Sequence, residues 1–296
     1  MLYGAVETGG TKIICTKLDE SGQVLDSIRF LTETPDLAVE KIVEFYGTSG
    51  IVSLGIGSFG PIDLNPQSST YGCILDTPKQ HWRFYPFLQK IQEKLAIPVA
   101  LDTDVNCACL GEATYGAAKG LGVAVYVTIG TGIGVGVCIN GITLKGMLHP
   151  EAGHILIRKN PKDSFDGICA YHGNCFEGLA SGPAIQARAG RAAYEIPLSD
   201  PVWEIEADYI GQALMNYVLA YSPERIVLGG GVMEQMHLFP MIRERAASYL
   251  NGYLKTSQLR NMDSYIVPSA LGGKQAILGA FCLAKKISHG ETYGNN

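Results

Sequence analysis

Three glycine-rich turns, a cysteine–histidine cluster and a pair of acids behind one strand are where this chain could do chemistry. The first turn reads Glu7-Thr8-Gly9-Gly10-Thr11-Lys12. Gly10 lets backbone N–H groups come close to an anion, Thr11 and Lys12 can donate to phosphate oxygens, and Glu7 can hold a hydrated Mg2+. Thr128-Ile129-Gly130-Thr131-Gly132 is a second such turn, and Leu228-Gly229-Gly230-Gly231-Val232 a third. Any one alone reads as a hairpin turn. Three, each directly after an apolar strand, point to nucleotide phosphates, although no P-loop lysine motif or dinucleotide fingerprint is present. Cys169-Ala-Tyr-His172-Gly-Asn-Cys175, with His154 just upstream, forms a Cys2His2 set suited to tetrahedral Zn2+. Four ligands leave no open position, so the ion is expected to be structural; the alternative is a reduced cysteine pair beside a surface histidine. Asp102 and Asp104 follow the apolar run Pro98–Leu101. A carboxylate just after a strand, as at Asp104, can act as an acid or base toward a bound group or simply form a turn. Asp102 by itself reads as a turn former.

The elements that must position these residues follow a repeated grammar. Strand Leu2–Glu7, turn, strand Lys12–Leu18, turn and strand Val24–Phe30 form one meander. Strand Gly122–Ile129, turn, strand Ile133–Ile139, the hairpin turn Asn140-Gly141 and the short strand Ile142–Lys145 form another. After the first come a helix over Asp36–Tyr46, a strand over Val52–Gly57, a helix over Pro86–Leu95 and a strand over Pro98–Leu101. After the second come helices over Ser181–Ala193 and Trp203–Tyr221, a strand over Arg225–Leu228, a helix over Phe239–Leu250, a strand over Tyr265–Val267 and a closing helix over Gly273–Lys286. The duplication predicts two α/β lobes facing each other across a cleft. The expected division is 1–118 and 119–272, with 154–175 as the zinc segment and the helix in 273–290 packing back on the first lobe.

Composition narrows the function classes. The chain has 296 residues, 47% of them hydrophobic, and a net charge of −5 with no basic run, which argues against a nucleic-acid surface. The N-terminus lacks a basic and apolar leader, which reads as a cytoplasmic start. Leu121–Leu144 carries no charge and is long enough for a membrane helix, but its glycines and strand-period valines predict a hairpin instead. Eight cysteines without a secretion signal favour metal over disulfides. Cys15, Cys73, Cys107, Cys109, Cys138 and Cys282 lie in apolar context and read as small core residues.

The order of Glu7–Lys12, Asp102-Thr-Asp104-Val-Asn106, Thr128–Gly132, Glu151-Ala-Gly-His154 and Leu228–Val232 resembles that of the ROK family (repressors, open reading frames and sugar kinases). Gly55–Asp63 together with Tyr171–Pro183 looks most like its bacterial fructokinase branch. The resemblance covers essentially the whole chain. It implies a two-lobed actin/hexokinase-like (ribonuclease H-like) ATPase fold, ATP with Mg2+, and phosphorylation of a hexose at its 6-hydroxyl. In the family's motif Asp104 is the general base and Asn106 belongs to the sugar site, while Glu151 and Glu177 accept hydrogen bonds from sugar hydroxyls. The nucleotide residues carried over are Glu7, Gly10, Thr11, Lys12, Thr131, Gly132, Pro183, Gly230, Gly231 and Val232.

Departures from the family pattern are informative. Asp102 stands where Glu is usual, and Thr103 stands where glucose-specific members have Asn, which argues against glucose. Glu7 replaces the Asp of many members. Tyr171 sits where many members have a second cysteine, and His172 takes its place. The expected product is fructose 6-phosphate; the alternatives are a kinase for mannose or glucose, and a non-catalytic sugar sensor, against which the intact Asp104 and phosphate turns argue. A homodimer is expected from the same resemblance.

Overall fold

The computed structural model of the chain describes residues 1–290. In chain order its elements begin with β1 (Leu2–Thr8), β2 (Lys12–Asp19), β3 (Val24–Leu31), α1 (Pro35–Tyr46), β4 (Leu54–Ser58), α2 (Phe87–Lys94), β5 (Val99–Thr103) and α3 (Asp104–Thr114). They continue with β6 (Val123–Ile129), β7 (Ile133–Ile139), β8 (Ile142–Thr143), α4 (Phe176–Ala180), α5 (Gly182–Ala189) and α6 (Val202–Tyr221). The last are β9 (Arg225–Gly229), α7 (Leu238–Leu250), α8 (Met262–Tyr265), β10 (Ile266–Pro268) and α9 (Gln275–Ser288). The fold is α/β, with two mixed sheets.

Two compact units emerge. Among the described residues, one comprises Met1–Gly116, Gly141–Pro150 and 271–290; the other comprises Ala117–Asn140 and Glu151–Ala270. The segment 141–150 therefore belongs to the first unit, whereas continuity of sequence assigned it to the second. Side-chain bonds explain the difference: Thr143 and Lys145 both contact Asp102, at the end of β5.

In the first unit the sheet runs β3-β2-β1-β4-β5. β1 pairs antiparallel with β2 and parallel with β4, so it is central and its Tyr3, Ala5 and Val6 are fully buried. In the second unit β6 likewise pairs antiparallel with β7 and parallel with β9, and β10 lies parallel beyond β9. Leu121–Leu144 thus contains the expected hairpin; among the described residues no helix is long and apolar enough to cross a membrane.

Periodicity missed α3. Every residue from Val105 to Glu112 is buried, so the helix has no polar stripe to reveal its period. The helix expected over Ser181–Ala193 is shorter, because Gly190 takes a left-handed φ of 72° and ends α5.

Helix α9 packs in the first unit with its backbone almost touching its neighbours. A Cβ added to Gly279 would lie 1.8 Å from the Cys107 carbonyl oxygen on α3, and one on Gly55 of β4 would lie 1.8 Å from the Ala280 carbonyl oxygen. Helix propensity alone favours Ala over Gly by about 1 kcal/mol. Overpacking against rigid backbone typically costs about 1–3 kcal/mol or more, so the clash wins. Gly279→Ala is expected to lower the melting temperature by several degrees in calorimetry, where propensity alone would raise it.

Candidate active site

In the first unit the site grows from the ends of β1 and β5. Glu7 is the penultimate residue of β1, and the turn after it closes with the Gly9 N–H donating to the Lys12 carbonyl at 2.9 Å. Gly10 and Thr11 are exposed on that turn. Oε2 of Glu7 is buried without a hydrogen-bond partner. Burial raises the Glu7 carboxyl above its usual range, against the opposing charge of Lys12. A buried, unsatisfied carboxylate oxygen is the donor a hard divalent cation takes, so this residue fits Mg2+.

Asp104 is the first residue of α3, directly after β5. Thr103 is the N-cap: it is 2% exposed, and its Oγ1 accepts from the Asn106 N–H at 3.1 Å. Asp104 is half-buried, and its Oδ1 accepts from the Val105 N–H at 2.8 Å. Asp102 is no turn former. It is the fourth residue of β5, fully buried, with both oxygens engaged. Oδ1 accepts from the Thr103 N–H at 2.7 Å and from Asn106 Nδ2 at 2.8 Å. Oδ2 accepts from Thr143 Oγ1 at 2.6 Å and pairs with Lys145 Nζ at 3.1 Å. Asn106 is fully buried too, and its Oδ1 is left without a hydrogen-bond partner. Thr143 and Lys145 went unnoticed in the sequence, because a threonine and a lysine forty residues from an acid carry no local signal.

In the second unit two glycine turns and a helix start meet. The Gly182 N–H donates to the Gly130 carbonyl at 2.8 Å, which ties the turn after β6 to the beginning of α5. Gly230 has φ 88°, and a Cβ there would lie 2.4 Å from the Ile129 carbonyl oxygen, so only glycine fits. A cavity of about 460 Å3 is lined by Gly130, Thr131, Pro183, Tyr194, Gly231 and Val232, among others. Gly132 is beside it in the turn, where a Cβ would press on Glu177. The nucleotide residues expected in this half are therefore together. Tyr194, 80% exposed on this cavity, was missed, since one tyrosine after a helix has no motif.

The cysteine–histidine set is also assembled. Ligand atoms of His154, Cys169, His172 and Cys175 all lie within 4.8 Å of one another. His154 Nδ1 is 3.6 Å from Cys169 Sγ and 3.5 Å from Cys175 Sγ, and His172 Nδ1 is 3.7 Å from Cys169 Sγ. Burial pushes the Cys175 thiol up to about 11, so its thiolate needs a cation beside it. The set can hold a tetrahedral metal. The opposite ring nitrogen of His154 lies 3.9 Å from Glu177 Oε1, and Glu177 Oε2 accepts from the Ile133 N–H at 2.9 Å. Glu151 is exposed, immediately before the one-turn helix Ala152–His154, whose Ala152 carbonyl accepts from Tyr217 Oη at 2.7 Å. The other cysteines form no disulfide; Cys73 is half-buried and the remaining five are buried.

A model of the ROK family matches residues 3–287. The chain is 45% identical to a fructokinase of Pediococcus pentosaceus over 96% of its own length and 98% of that protein's. Its fold matches the crystal structure of a ROK hexokinase from Thermus thermophilus with a TM-score of 0.79, at 26% identity over 98% of this chain and 100% of that one. It matches a ROK family glucokinase from Streptomyces griseus, solved in complex with glucose and AMPPNP, with a TM-score of 0.75, at 26% identity over 97% and 100% of the two chains. Fold and site define an ATP-dependent sugar kinase. The chain belongs to the ROK family.

The raised pKa of Glu7 has a signed consequence. The native state holds this proton more tightly than the unfolded chain, so its ionised form opposes folding above the raised pKa, and that opposition fades as pH falls. Glu7→Gln is expected to melt higher than wild type at neutral pH without divalent cations. The difference should close by about pH 4, near the ordinary glutamate pKa, as read in thermal scans across pH.

Proposed function

We propose that the chain is a fructokinase: it transfers the γ-phosphoryl group of ATP to the 6-hydroxyl of fructose, giving fructose 6-phosphate. The choice of fructose rests on the 45% identity, over nearly the full chain, to a protein that bears that activity. Asp104, at the head of α3, accepts the proton of the sugar hydroxyl as the phosphoryl group arrives. It is a half-buried carboxylate whose Oδ1 accepts from the Val105 N–H in the first turn of the helix. Asn106 supports the sugar side from the same turn, with Thr103 between them, and Glu151 and Glu177 accept from sugar hydroxyls.

Gly10, Thr11 and Lys12 are the phosphate-binding residues proposed in the first unit; those proposed in the second are Thr131, Gly132, Gly230, Gly231 and Val232, with Pro183 at the start of α5. The cavity beside Thr131 takes the nucleoside. Glu7 would hold Mg2+, which neutralises charge on the phosphates when bound. His154, Cys169, His172 and Cys175 would hold a structural Zn2+ that stiffens the segment carrying Glu151 and Glu177. A homodimer in the cytoplasm belongs to the same reading, supported by the family resemblance.

Two experiments test it. Asp104→Asn keeps the side-chain shape and removes the base; kcat is expected to fall by about 10^2–10^4-fold with folding retained. In the same coupled ADP-release assay, wild type should favour fructose over glucose at least tenfold in kcat/KM, about 1.4 kcal/mol of discrimination. Retention of a tenth of kcat by the variant removes the base assignment, and an inverted sugar ratio removes fructose. Metal analysis of protein purified without chelator should find about one zinc per chain. Chelation or Cys175→Ser should then raise the sugar KM and lower the melting temperature while ATP affinity changes less.

A further inference from the structure

The segment 141–150 has an unusual place. The chain on either side of it, 117–140 and 151–270, belongs to the second unit, yet these ten residues belong to the first. Within the first unit the segment is fastened at several points. Lys286 of α9 donates through Nζ to the Gly141 carbonyl at 2.8 Å, and His149 lies against Gly60. Thr143 Oγ1 and Lys145 Nζ reach Oδ2 of Asp102.

Asp102 is 0% exposed, and Lys145 keeps only 17% of its side chain in solvent. A carboxylate so placed is held by complete hydrogen bonding and a counter-charge, and losing one partner leaves a buried charge uncompensated. Its other oxygen serves the head of α3, through the Thr103 N–H and Asn106 Nδ2. A carboxylate accepts and cannot donate, so the Asn106 amide must turn its NH2 to Asp102. Its Oδ1 is then left as a buried acceptor two residues after Asp104.

We propose that Lys145 and Thr143 are positioning residues for phosphoryl transfer. Acting through Asp102, they lock the rotamer of Asn106 and the first turn of α3, and so the direction of Asp104. The inference deepens the kinase reading and rests on it. Lys145 touches neither nucleotide nor sugar in this scheme; its charge matters because Asp102 is charged. Neutralising both partners should therefore harm less than neutralising one. An amide at position 102 can still accept from the Thr103 N–H and Asn106 Nδ2 through its oxygen, and can donate to Thr143 Oγ1 through its nitrogen.

The test is a double-mutant cycle on the full chain: Lys145→Met, Asp102→Asn and the pair together, with kcat and both KM values measured well below each variant's melting temperature. Each single variant is expected to lose at least tenfold in kcat with fructose, with the ATP KM changed less than twofold. The double variant is expected to recover to within about threefold of wild type, a coupling that residues in one network show and independent sites do not. Thr143→Val should lower kcat without the rescue. Lys145→Met within twofold of wild type overturns the proposal, as does a double variant no better than the worse single. If Lys145→Met does not fold, an active double variant beside an impaired Asp102→Asn supports the proposal and an inactive one overturns it. Absence of wild-type activity on fructose would instead sink the kinase reading, and full activity of Asp104→Asn only the base assignment, so the failures are distinguishable.

Discussion

Helix α9 lies so close to β4 and α3 that no side chain fits between their backbones. Gly279 faces the Cys107 carbonyl and Gly55 faces the Ala280 carbonyl. The Ser53 hydroxyl donates to the Ala284 carbonyl at 2.7 Å along the same seam. Backbone-to-backbone packing of this kind leaves no flexible atoms to absorb a shift, because protein interiors are packed to crystal density. The position of α3 is thereby set by a helix more than 160 residues further along the chain. Since Asp104 is the first residue of α3, the proposed base inherits that precision. The direction of its carboxylate is then decided by shorter-range bonds at the Thr103 cap.

Buried charge shapes the rest of both units. In the first, Asp102 is surrounded by donors on both oxygens. In the second, Arg188 pairs with Asp163 at 3.1 Å, and Tyr209 Oη donates to the same oxygen at 2.7 Å. Glu206 beneath them is fully buried, and burial drives its carboxyl well above the ordinary range despite Arg188 at 3.9 Å. A neutral glutamate avoids the cost of a second buried anion beside Asp163. Asp163 stands on the loop that leads to Cys169, six residues before the first cysteine of the Cys/His cluster.

Regular structure in the segment of that cluster comes only in short pieces. His154 ends a helix of one turn, Cys169 and His172 lie on a loop, and Cys175 caps α4, which has only five residues. Helices this short have no stability of their own. Four ligand atoms brought within 4.8 Å of one another are what a structural ion would need to organise such a piece. Glu177, in the first turn of α4, leans on both His154 and the Ile133 N–H, which joins the ligand set to the strand after the Gly130–Gly132 turn.

Much of this was legible in the chain itself, and the reason is locality. Both meanders, the glycine turns after their strands, the hairpin at Asn140-Gly141 and the C-x-x-H-x-x-C cluster are written in neighbouring residues. The physical rules behind them, alternation of apolar side chains, left-handed backbone at glycine and ligand spacing, act over a few positions. Other features depended on what the fold brings together from afar. Helix α3 had no amphipathic period because it is covered on all sides. Tyr194 reached its cavity only through the close of α5 at Gly190. Asp102 looked like a turn residue until a segment from forty residues downstream placed Thr143 and Lys145 on it. Burial and partner charge are properties of position in space, and a single sequence carries neither; the tertiary structure alone decided that Asp102 would be fully buried and held on both oxygens while Asp104 would stay half-buried at the head of α3.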